Sequence, residues 1–170
     1  RELGGALAAG RLRGQIEFRG VRFGYGDRQV LCGVNLCIHA GERVAIVGRS
    51  GAGKSTLAKL VPRFYDPGQG SVRVDGVDVR EYRLSALRRQ IGFAMQGSCL
   101  FRGTIRQNLC LGQDRPQADL EDAVRAVCMD AAIAALPRGL DTEVGEGGCA
   151  LSEGQKQRLA LARVLLLDVP

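Results

Sequence analysis

The residues with the clearest chemical signature form one glycine-rich stretch, Gly48-Arg49-Ser50-Gly51-Ala52-Gly53-Lys54-Ser55-Thr56. Its spacing fits the phosphate-binding pattern G-x-x-x-x-G-K-[ST]. Glycines without Cβ let the backbone wrap closely around a polyanion, and the N–H groups of such a turn point inward. In this pattern Lys54 reaches the β- and γ-phosphates, and the Ser55 hydroxyl binds Mg²⁺. The stretch therefore predicts a nucleotide site with a magnesium ion.

Two flanking elements must position this stretch. Residues 43–47 are short, apolar and β-branched, which predicts a buried strand just before it. After it, Leu57, Leu60 and Val61 recur at helical spacing, so we expect a helix that begins near Gly53. The first helical amides lack intrahelical partners and lie at the positive end of the helix dipole, which favours phosphate. A glycine-rich turn that binds nothing is the alternative, and the flanking strand and helix disfavour it.

Composition limits the remaining possibilities. The 170 residues are enough for one domain with a full core, and 45% hydrophobic with 25% charged residues is typical of a soluble globular protein. No apolar run approaches the ~18 residues that a membrane-spanning helix needs, so we expect any membrane role to come through a partner or another segment. The net charge of +6 could suggest nucleic acid, but the 24 Lys and Arg are scattered and Trp is absent. A solvated basic surface is the favoured interpretation, and no nucleic-acid partner is expected.

The cysteines and histidine do not indicate a metal site. The six cysteines contain no C-x-x-C pair, and His39 is the only histidine. We expect the thiols to be reduced and most of them to be small buried residues. The cysteines are Cys32, Cys37, Cys99, Cys110, Cys128 and Cys149.

The first half of the chain favours strands. Residues 1–14 are rich in Gly, Ala and Arg and indicate a linker from something upstream. Alternating apolar residues predict strands over 16–23 and 30–38, with Tyr25 in the turn between them. Asp75-Gly76 predicts a hairpin turn. A short helix is expected over 85–90 with Ser85 as its N-cap, followed by a strand over 91–95 that delivers Gln96 at its end.

The second half favours helices. The spacing predicts helices over 104–109, after Pro116 and over 131–136, then a glycine-rich loop over 142–148. Leu151-Ser152-Glu153-Gly154-Gln155 opens the last helix. Residues 164–168 look like an apolar strand that ends in Asp168, yet they continue the apolar spacing of this helix. We therefore expect Asp168 at a helix end.

With the glycine-rich stretch, Gln96 and residues 151–155 in this order, the chain resembles the nucleotide-binding domain of ATP-binding cassette (ABC) transporters from about Gln15 to Pro170. Three further stretches resemble the exporter type: Phe64-Tyr65-Asp66-Pro67, Leu100-Phe101-Arg102-Gly103-Thr104-Ile105 and Thr142-Glu143-Val144-Gly145-Glu146. The resemblance implies an α/β fold, a P-loop NTPase (ABC ATPase) core with an antiparallel β subdomain and a helical subdomain. Residues 1–14 would be the linker from a membrane domain, and residues 15–170 an ATP-binding domain that is incomplete at its C-terminal end.

The resemblance also implies roles for individual residues. Tyr25, a packing residue by position alone, matches the aromatic that stacks on adenine. Gln96 matches the glutamine that contacts Mg²⁺ and assists catalysis. Ser152, Gly154 and Gln155 match the signature sequence, whose first two contact the γ-phosphate held on an opposing subunit. The loop from Glu143 to 146 would contact the coupling helices of the membrane domain.

The implied activity is Mg-ATP hydrolysis coupled to export, by two nucleotide-binding domains packed head to tail at the cytoplasmic face of the membrane. Three alternatives remain: a soluble ABC ATPase acting on DNA or ribosomes, a nucleotide-binding regulatory module without turnover, and a P-loop protein outside the ABC family. The sequence departs from the family pattern at Glu153 and Gly147, where the family usually has glycine and arginine. No Asp-Glu pair follows an apolar strand, and no histidine follows the P-loop. The 170 residues by themselves are therefore expected to bind ATP without hydrolysing it.

Overall fold

The computed structural model describes residues 7–8, 10–94, 100–145, 148–167 and 169. The chain divides into two compact units, residues 1–91 and 92–169. Within the described residues, no helix is both long and apolar enough to cross a bilayer.

The first unit is built on an antiparallel sheet. Its strands are β1 (Ile16–Tyr25), β2 (Arg28–Ile38), β3 (Gln69–Val74) and β4 (Val77–Asp78), in the order β2-β1-β3-β4. Helices α1 (Lys54–Leu60) and α2 (Leu84–Arg88) belong to the same unit. Apolar residues of the sheet and of both helices form one core, which includes Phe18, Val21, Leu31, Leu57, Leu60, Val72 and Leu87.

Local signals correctly predicted the two hairpins and the P-loop helix. Asp75 and Gly76 take positive φ angles of 49° and 82° in the β3–β4 turn, as a tight hairpin turn requires. Helix α1 ends with Val61 as its C-cap, since Pro62 has no N–H and restricts its predecessor. The predicted N-cap of α2 is wrong. Arg83 occupies that position, and its carbonyl accepts hydrogen bonds from the next turn.

The segment that precedes β1 is attached to the sheet unit. The N–H groups of Arg13 and Gln15 donate to the two carboxylate oxygens of Asp75, at 2.5 and 2.9 Å. The Gln90 amide group bonds the backbone of the segment on both sides of Arg11, and Leu12 is buried in the core.

Two predicted strands are absent from the described residues. Residues 43–47 form no regular secondary structure, residues 41–50 are all exposed, and Val47 is 87% exposed. Residues 91–94 likewise form neither helix nor strand, and Met95 and Gln96 lie outside the described residues. A strand needs a neighbour for its backbone hydrogen bonds. Neither segment pairs with another strand within the described ranges.

The second unit is mainly helical. Its elements are a two-stranded pairing of β5 (Gly103–Thr104) with β6 (Glu143–Val144), helices α3 (Ile105–Cys110), α4 (Gln117–Ala126), α5 (Asp130–Ala134) and α6 (Glu153–Leu165), and a 3₁₀ turn at Gly139–Asp141. The predicted helices are confirmed to within two residues at most ends. Helix α6 includes Val164 and Leu165, so these residues are helical as expected, whereas Asp168 lies outside the described residues.

The predicted burial of most cysteines is wrong. Cys32, Cys37, Cys128 and Cys149 are exposed, Cys110 is half-buried, and Cys99 lies outside the described residues. Cys32 and Cys37 lie on β2, a strand at the edge of its sheet. Both are exposed because an extra residue of β2 at Gly33 shifts the alternation of the strand between them. The five described thiols are free.

Candidate nucleotide site

The glycine-rich stretch forms an open loop in front of α1. Gly51 and Gly53 have φ angles of 81° and 86°, in the left-handed region that favours glycine. The N–H of Ala52 donates to the carbonyl of Arg49 at 3.2 Å, which closes a turn inside the loop. Gly53 is the N-cap of α1 and has no side chain to cap the first amides. These amides are therefore available to an anion.

Gly53 also lies against strand β2. A Cβ atom at this position would be 2.8 Å from Cδ2 of Leu31 and 3.0 Å from Cγ1 of Val30. Real Cβ atoms do not approach this closely without displacing a neighbour. Glycine is therefore required here for two reasons: the positive φ angle, and the close contact between the loop and strand β2.

The Lys54 ammonium lies inside the loop. Its Nζ donates to the carbonyls of Gly48 and Arg49, at 2.7 and 2.8 Å. The side chain is thus folded back over the turn where a polyphosphate would lie, and not extended into solvent. A charged donor held in this way is suited to phosphate oxygens, which are stronger acceptors than neutral carbonyls.

The two hydroxyl residues after Lys54 differ in burial. Ser55 is exposed, and its hydroxyl oxygen is a hard ligand of the kind Mg²⁺ prefers. The second predicted Mg²⁺ residue, Gln96, lies outside the described residues. The described residues contain no cluster of three His, Cys, Asp or Glu that could hold a metal ion. An exposed hydroxyl such as that of Ser55 fits an ion that completes its coordination with substrate phosphate oxygens and water, as Mg²⁺ usually does.

Tyr25 lies beside the first turn of α1. Its hydroxyl is 3.3 Å from the hydroxyl of the buried Thr56. Tyr25 is 41% exposed, which leaves part of the residue open to a ligand. The structure therefore places the predicted base-stacking residue next to the predicted phosphate loop, in the first unit.

Tyr25 belongs to a group of three aromatic rings. Phe23 and Tyr25 meet edge to face at 5.0 Å between ring centroids, and Tyr25 and Tyr65 do so at 5.2 Å. Phe23 and Tyr65 are 5.4 Å apart in a tilted arrangement. From the sequence, Tyr65 is predicted only as part of an exporter-type stretch, and its contact with Tyr25 is a finding of the structure.

The residues predicted to form the signature sequence lie at the start of α6, in the second unit. Ser152 is the N-cap, and it exchanges two hydrogen bonds with Gln155 in a capping box. The Gln155 N–H donates to Ser152 Oγ at 3.3 Å, and Ser152 N–H donates to Gln155 Oε1 at 2.8 Å. No atom lies within 4 Å of the space that a Gly154 Cβ would fill. The helix start is therefore ordered and open.

Glu153, at the position where the resemblance predicts glycine, is exposed. Its carboxylate lies 3.7 Å from the Lys156 ammonium one turn along α6. A carboxylate in the first turn interacts favourably with the helix dipole, and Lys156 offsets part of its charge. Repulsion of a phosphate at this helix start is correspondingly reduced.

The loop after the 3₁₀ turn has no room for a side chain at Gly145. Gly145 has φ of 93°, and a Cβ there would be 3.0 Å from the Cα of Arg102. Glu143 is exposed, 3.7 Å from the Arg138 guanidinium, while Val144 is buried. Positions 146 and 147, including the predicted Gly147 departure, lie outside the described residues.

Asn108 is a buried polar residue that the sequence motifs do not include. It is 2% exposed and bonds the Phe101 backbone N–H and carbonyl, both at 2.8 Å. It also accepts from the Arg163 guanidinium at 2.6 Å, and burial lowers the pKa of Arg163. Asn108 lies on the apolar side of α3 beside Ile105 and Leu109. A polar residue on the apolar side of a helix indicates a buried hydrogen-bond network, and the sequence contains that indication.

Comparison with known proteins settles the family. The ABC transporter family model matches residues 31–170. The chain belongs to the ABC transporter family. The predicted ABC ATPase fold is confirmed by a solved structure of a bacterial Atm1-family ABC exporter with ATP bound. It superposes with a TM-score of 0.90 and is 45% identical, over 96% of this chain and 29% of that chain.

Curated relatives agree with this assignment. An ATP-dependent lipid A-core flippase of Chromohalobacter salexigens is 47% identical over 98% of this chain and 29% of its own length. The protein of the same name from Alkalilimnicola ehrlichii is 49% identical over 94% of this chain and 28% of its own length. This ABC family chain thus spans less than a third of the length of these relatives.

Proposed function

We propose that this chain is the ATP-binding domain of an ABC exporter, in which Mg-ATP hydrolysis drives transport across a membrane. The observation that carries the proposal is the loop geometry at Lys54, whose ammonium is held over a turn with uncapped helix amides. The similarity to an Atm1-family exporter with ATP bound, together with the lipid A-core flippases, supports the exporter assignment.

The first unit supplies the groups for ATP. The Lys54 ammonium exchanges its two carbonyl partners for β- and γ-phosphate oxygens, and the first amides of α1 bind the same anion. Ser55 would hold Mg²⁺, which neutralises phosphate charge when bound. The Tyr25 ring stacks on the adenine. Gln96 is assigned to the same ion from the family pattern.

The second unit supplies groups for the ATP of another domain. Ser152 and the amide of Gly154 lie at the start of α6, where a hydroxyl and a helix dipole favour an anion. We propose a head-to-tail pair in which these residues contact the γ-phosphate held by the partner's P-loop. We propose that the loop that contains Glu143 contacts a membrane domain and that the complex lies at the cytoplasmic face of a membrane.

We further propose that the 170 residues alone bind nucleotide without measurable turnover. The sequence contains no Asp-Glu pair, and its only histidine, His39, precedes the P-loop. General-base assistance to an attacking water is typically worth about 10²–10⁴ in rate. The head-to-tail pair of the intact exporter, and not a single copy of this chain, is the expected site of hydrolysis.

The binding proposal is tested by thermal unfolding of the chain with and without ATP. Saturation at 100 times the dissociation constant stabilises a fold by about 2.7 kcal/mol. We expect Lys54→Ala to remove most of this stabilisation. Lys59→Ala is the matched control, because Lys59 lies in the last turn of the same helix, away from the loop. Equal ATP-induced stabilisation of the Lys54 variant and wild type would show that nucleotide binds elsewhere.

A further inference from the structure

Tyr65 approaches the nucleotide site from a part of the chain that the P-loop pattern does not include. Its ring meets Tyr25 edge to face, with centroids 5.2 Å apart and planes at 88°. It also lies 5.4 Å from the ring of Phe23. Tyr25 is therefore flanked by two aromatic side chains, one from its own strand and one from the loop after α1.

The loop that carries Tyr65 is held firmly. The Arg63 guanidinium donates to both carboxylate oxygens of Asp66, at 2.7 and 3.1 Å, across Tyr65. Arg88 of α2 donates to the carbonyls of Pro62 and Arg63, at 2.9 and 2.8 Å. Paired, charge-assisted hydrogen bonds of this kind fix geometry as well as adding energy. The loop backbone that carries Tyr65 is therefore held in place.

Tyr65 contributes little as a core residue. It is 41% exposed, as is Tyr25, and neither is among the buried residues that form the core of this unit. Exposed aromatic side chains normally sample several rotamers, and ordering them on ligand binding costs free energy. An edge-to-face contact restricts the ring in advance and so reduces that cost.

We propose that Tyr65 is a positioning residue for the purine base, acting by holding the ring of Tyr25 in the orientation that stacks. This inference rests on the proposed ATP-binding function. Tyr65 acts through Tyr25 and not on the phosphates, which are bound by Lys54 and the helix amides. Its loss therefore weakens binding of ligands that carry a base and spares ligands that consist of phosphate alone.

The experiment measures the affinities of the full 170-residue chain for ATP and for inorganic triphosphate by calorimetry. We expect Tyr65→Leu to weaken ATP binding about three- to tenfold, the usual value of one aromatic pair, and to leave triphosphate binding unchanged. Tyr65→Phe keeps the ring and should retain wild-type affinity for both. Phe101→Leu is the matched control, because Phe101 is an exposed aromatic residue of the second unit, and it should leave both affinities unchanged.

A double substitution separates positioning from direct contact. In a Tyr25→Leu background, Tyr65→Leu should cause no further loss of ATP affinity, because the ring that it positions is gone. Additive losses, an equal loss for ATP and triphosphate, or an unchanged ATP affinity in Tyr65→Leu would each overturn the role of Tyr65. A wild-type chain that binds neither ligand, or one whose binding is insensitive to Lys54→Ala, would overturn the proposed function together with this inference.

Discussion

The hydroxyl groups of Tyr25 and Thr56 lie 3.3 Å apart, and they join the end of β1 to the first turn of α1. The two residues are separated by 31 positions in the sequence. Tyr25 is the residue assigned to the base, and Thr56 directly follows the residues assigned to phosphate and Mg²⁺. The elements proposed for the two ends of ATP are therefore in contact through side chains within one unit.

The first prediction separates the ring of Tyr25 from its hydroxyl. Tyr25→Phe removes one partly exposed hydrogen bond, so we expect ATP affinity to fall no more than about threefold. Tyr25→Ala also removes the stacking surface, which is worth about 1–3 kcal/mol in comparable sites and corresponds to roughly 5- to 150-fold. Calorimetric titration with ATP measures both. Equal losses in the two variants would show that the hydroxyl, and not the ring, matters for binding.

The second prediction concerns the close contact between Gly53 of the P-loop and strand β2. Gly53→Ala forces a Cβ to within 2.8 Å of Leu31 Cδ2 and requires φ near 86°. Overpacking costs typically about 1–3 kcal/mol, in addition to about 1–2 kcal/mol for the left-handed backbone. We expect the variant to be destabilised by several kcal/mol or to move its loop, with loss of ATP binding.

Gly51→Ala is the control for this substitution. Gly51 has a similar φ of 81°, but no atom lies within 4 Å of its Cβ position. Denaturant unfolding should show that Gly51→Ala lowers the free energy of unfolding by the backbone cost alone, and that Gly53→Ala lowers it by more. Two equal losses would mean that the contact with β2 has no energetic role.

The sequence predicted best the elements whose signals are local. The Asp75-Gly76 turn, the end of α1 before Pro62 and the helix start at Ser152 each depend on residues a few positions apart. The glycine-rich turn and the helix that follows it were predicted for the same reason. The glycines and the lysine that define this turn all lie within nine residues of the sequence.

The failures involve contacts between distant residues. Residues 43–47 have strand composition, yet whether they pair depends on a neighbour that their own sequence does not contain. The side of β2 that carries Cys32 depends on which face of the sheet is covered. Tyr65 reaches Tyr25 only because the loop after α1 folds back, and no periodicity reports such a contact.

The third prediction is a pH dependence of stability. Burial opposes ionisation of Asp78, but hydrogen bonds from the Arg80 side chain and N–H outweigh it and lower the pKa of Asp78. A lowered pKa in the folded state contributes stability above the unfolded pKa of about 3.9, and this stability is lost as pH falls through the folded value. We expect Asp78→Asn to cost about 1–2 kcal/mol at pH 7, with a smaller difference from wild type below about pH 4.

Asp122→Asn provides the control for this prediction. Asp122 pairs with Arg125 at 2.8 Å on the exposed side of α4, where ion pairs contribute little. Denaturant unfolding at pH 7, 5 and 3.5 distinguishes the two variants. A constant difference between Asp78→Asn and wild type across this range would contradict an ionic contribution of Asp78.

The fourth prediction addresses the proposed contact of Ser152 with the partner's ATP. In an intact exporter that carries this chain, Ser152→Arg should prevent the ATP-induced pairing of nucleotide-binding domains, because a long side chain enters the γ-phosphate position. Single-site ATP affinity should change less than about twofold, because Lys54 and Tyr25 belong to the other unit. Cross-linking of the paired domains and ATP titration measure the two effects separately. Pairing at the wild-type level in the variant would contradict the head-to-tail arrangement.

A further prediction concerns the charge of Glu153, which follows Ser152 at the start of α6. Its carboxylate is exposed and 3.7 Å from Lys156, so Glu153→Gln removes the charge without a change in size. We expect a loss of at most about 1 kcal/mol in stability, from the weaker interaction with the helix dipole. ATP turnover by the intact exporter should stay constant or rise, because a negative charge near the partner's triphosphate is removed. Lys156→Gln is the converse change. It leaves the negative charge of Glu153 without its neighbouring ammonium group and should lower turnover. If Glu153→Gln instead lowered turnover while pairing remained normal, the carboxylate would have a positive role at the signature helix.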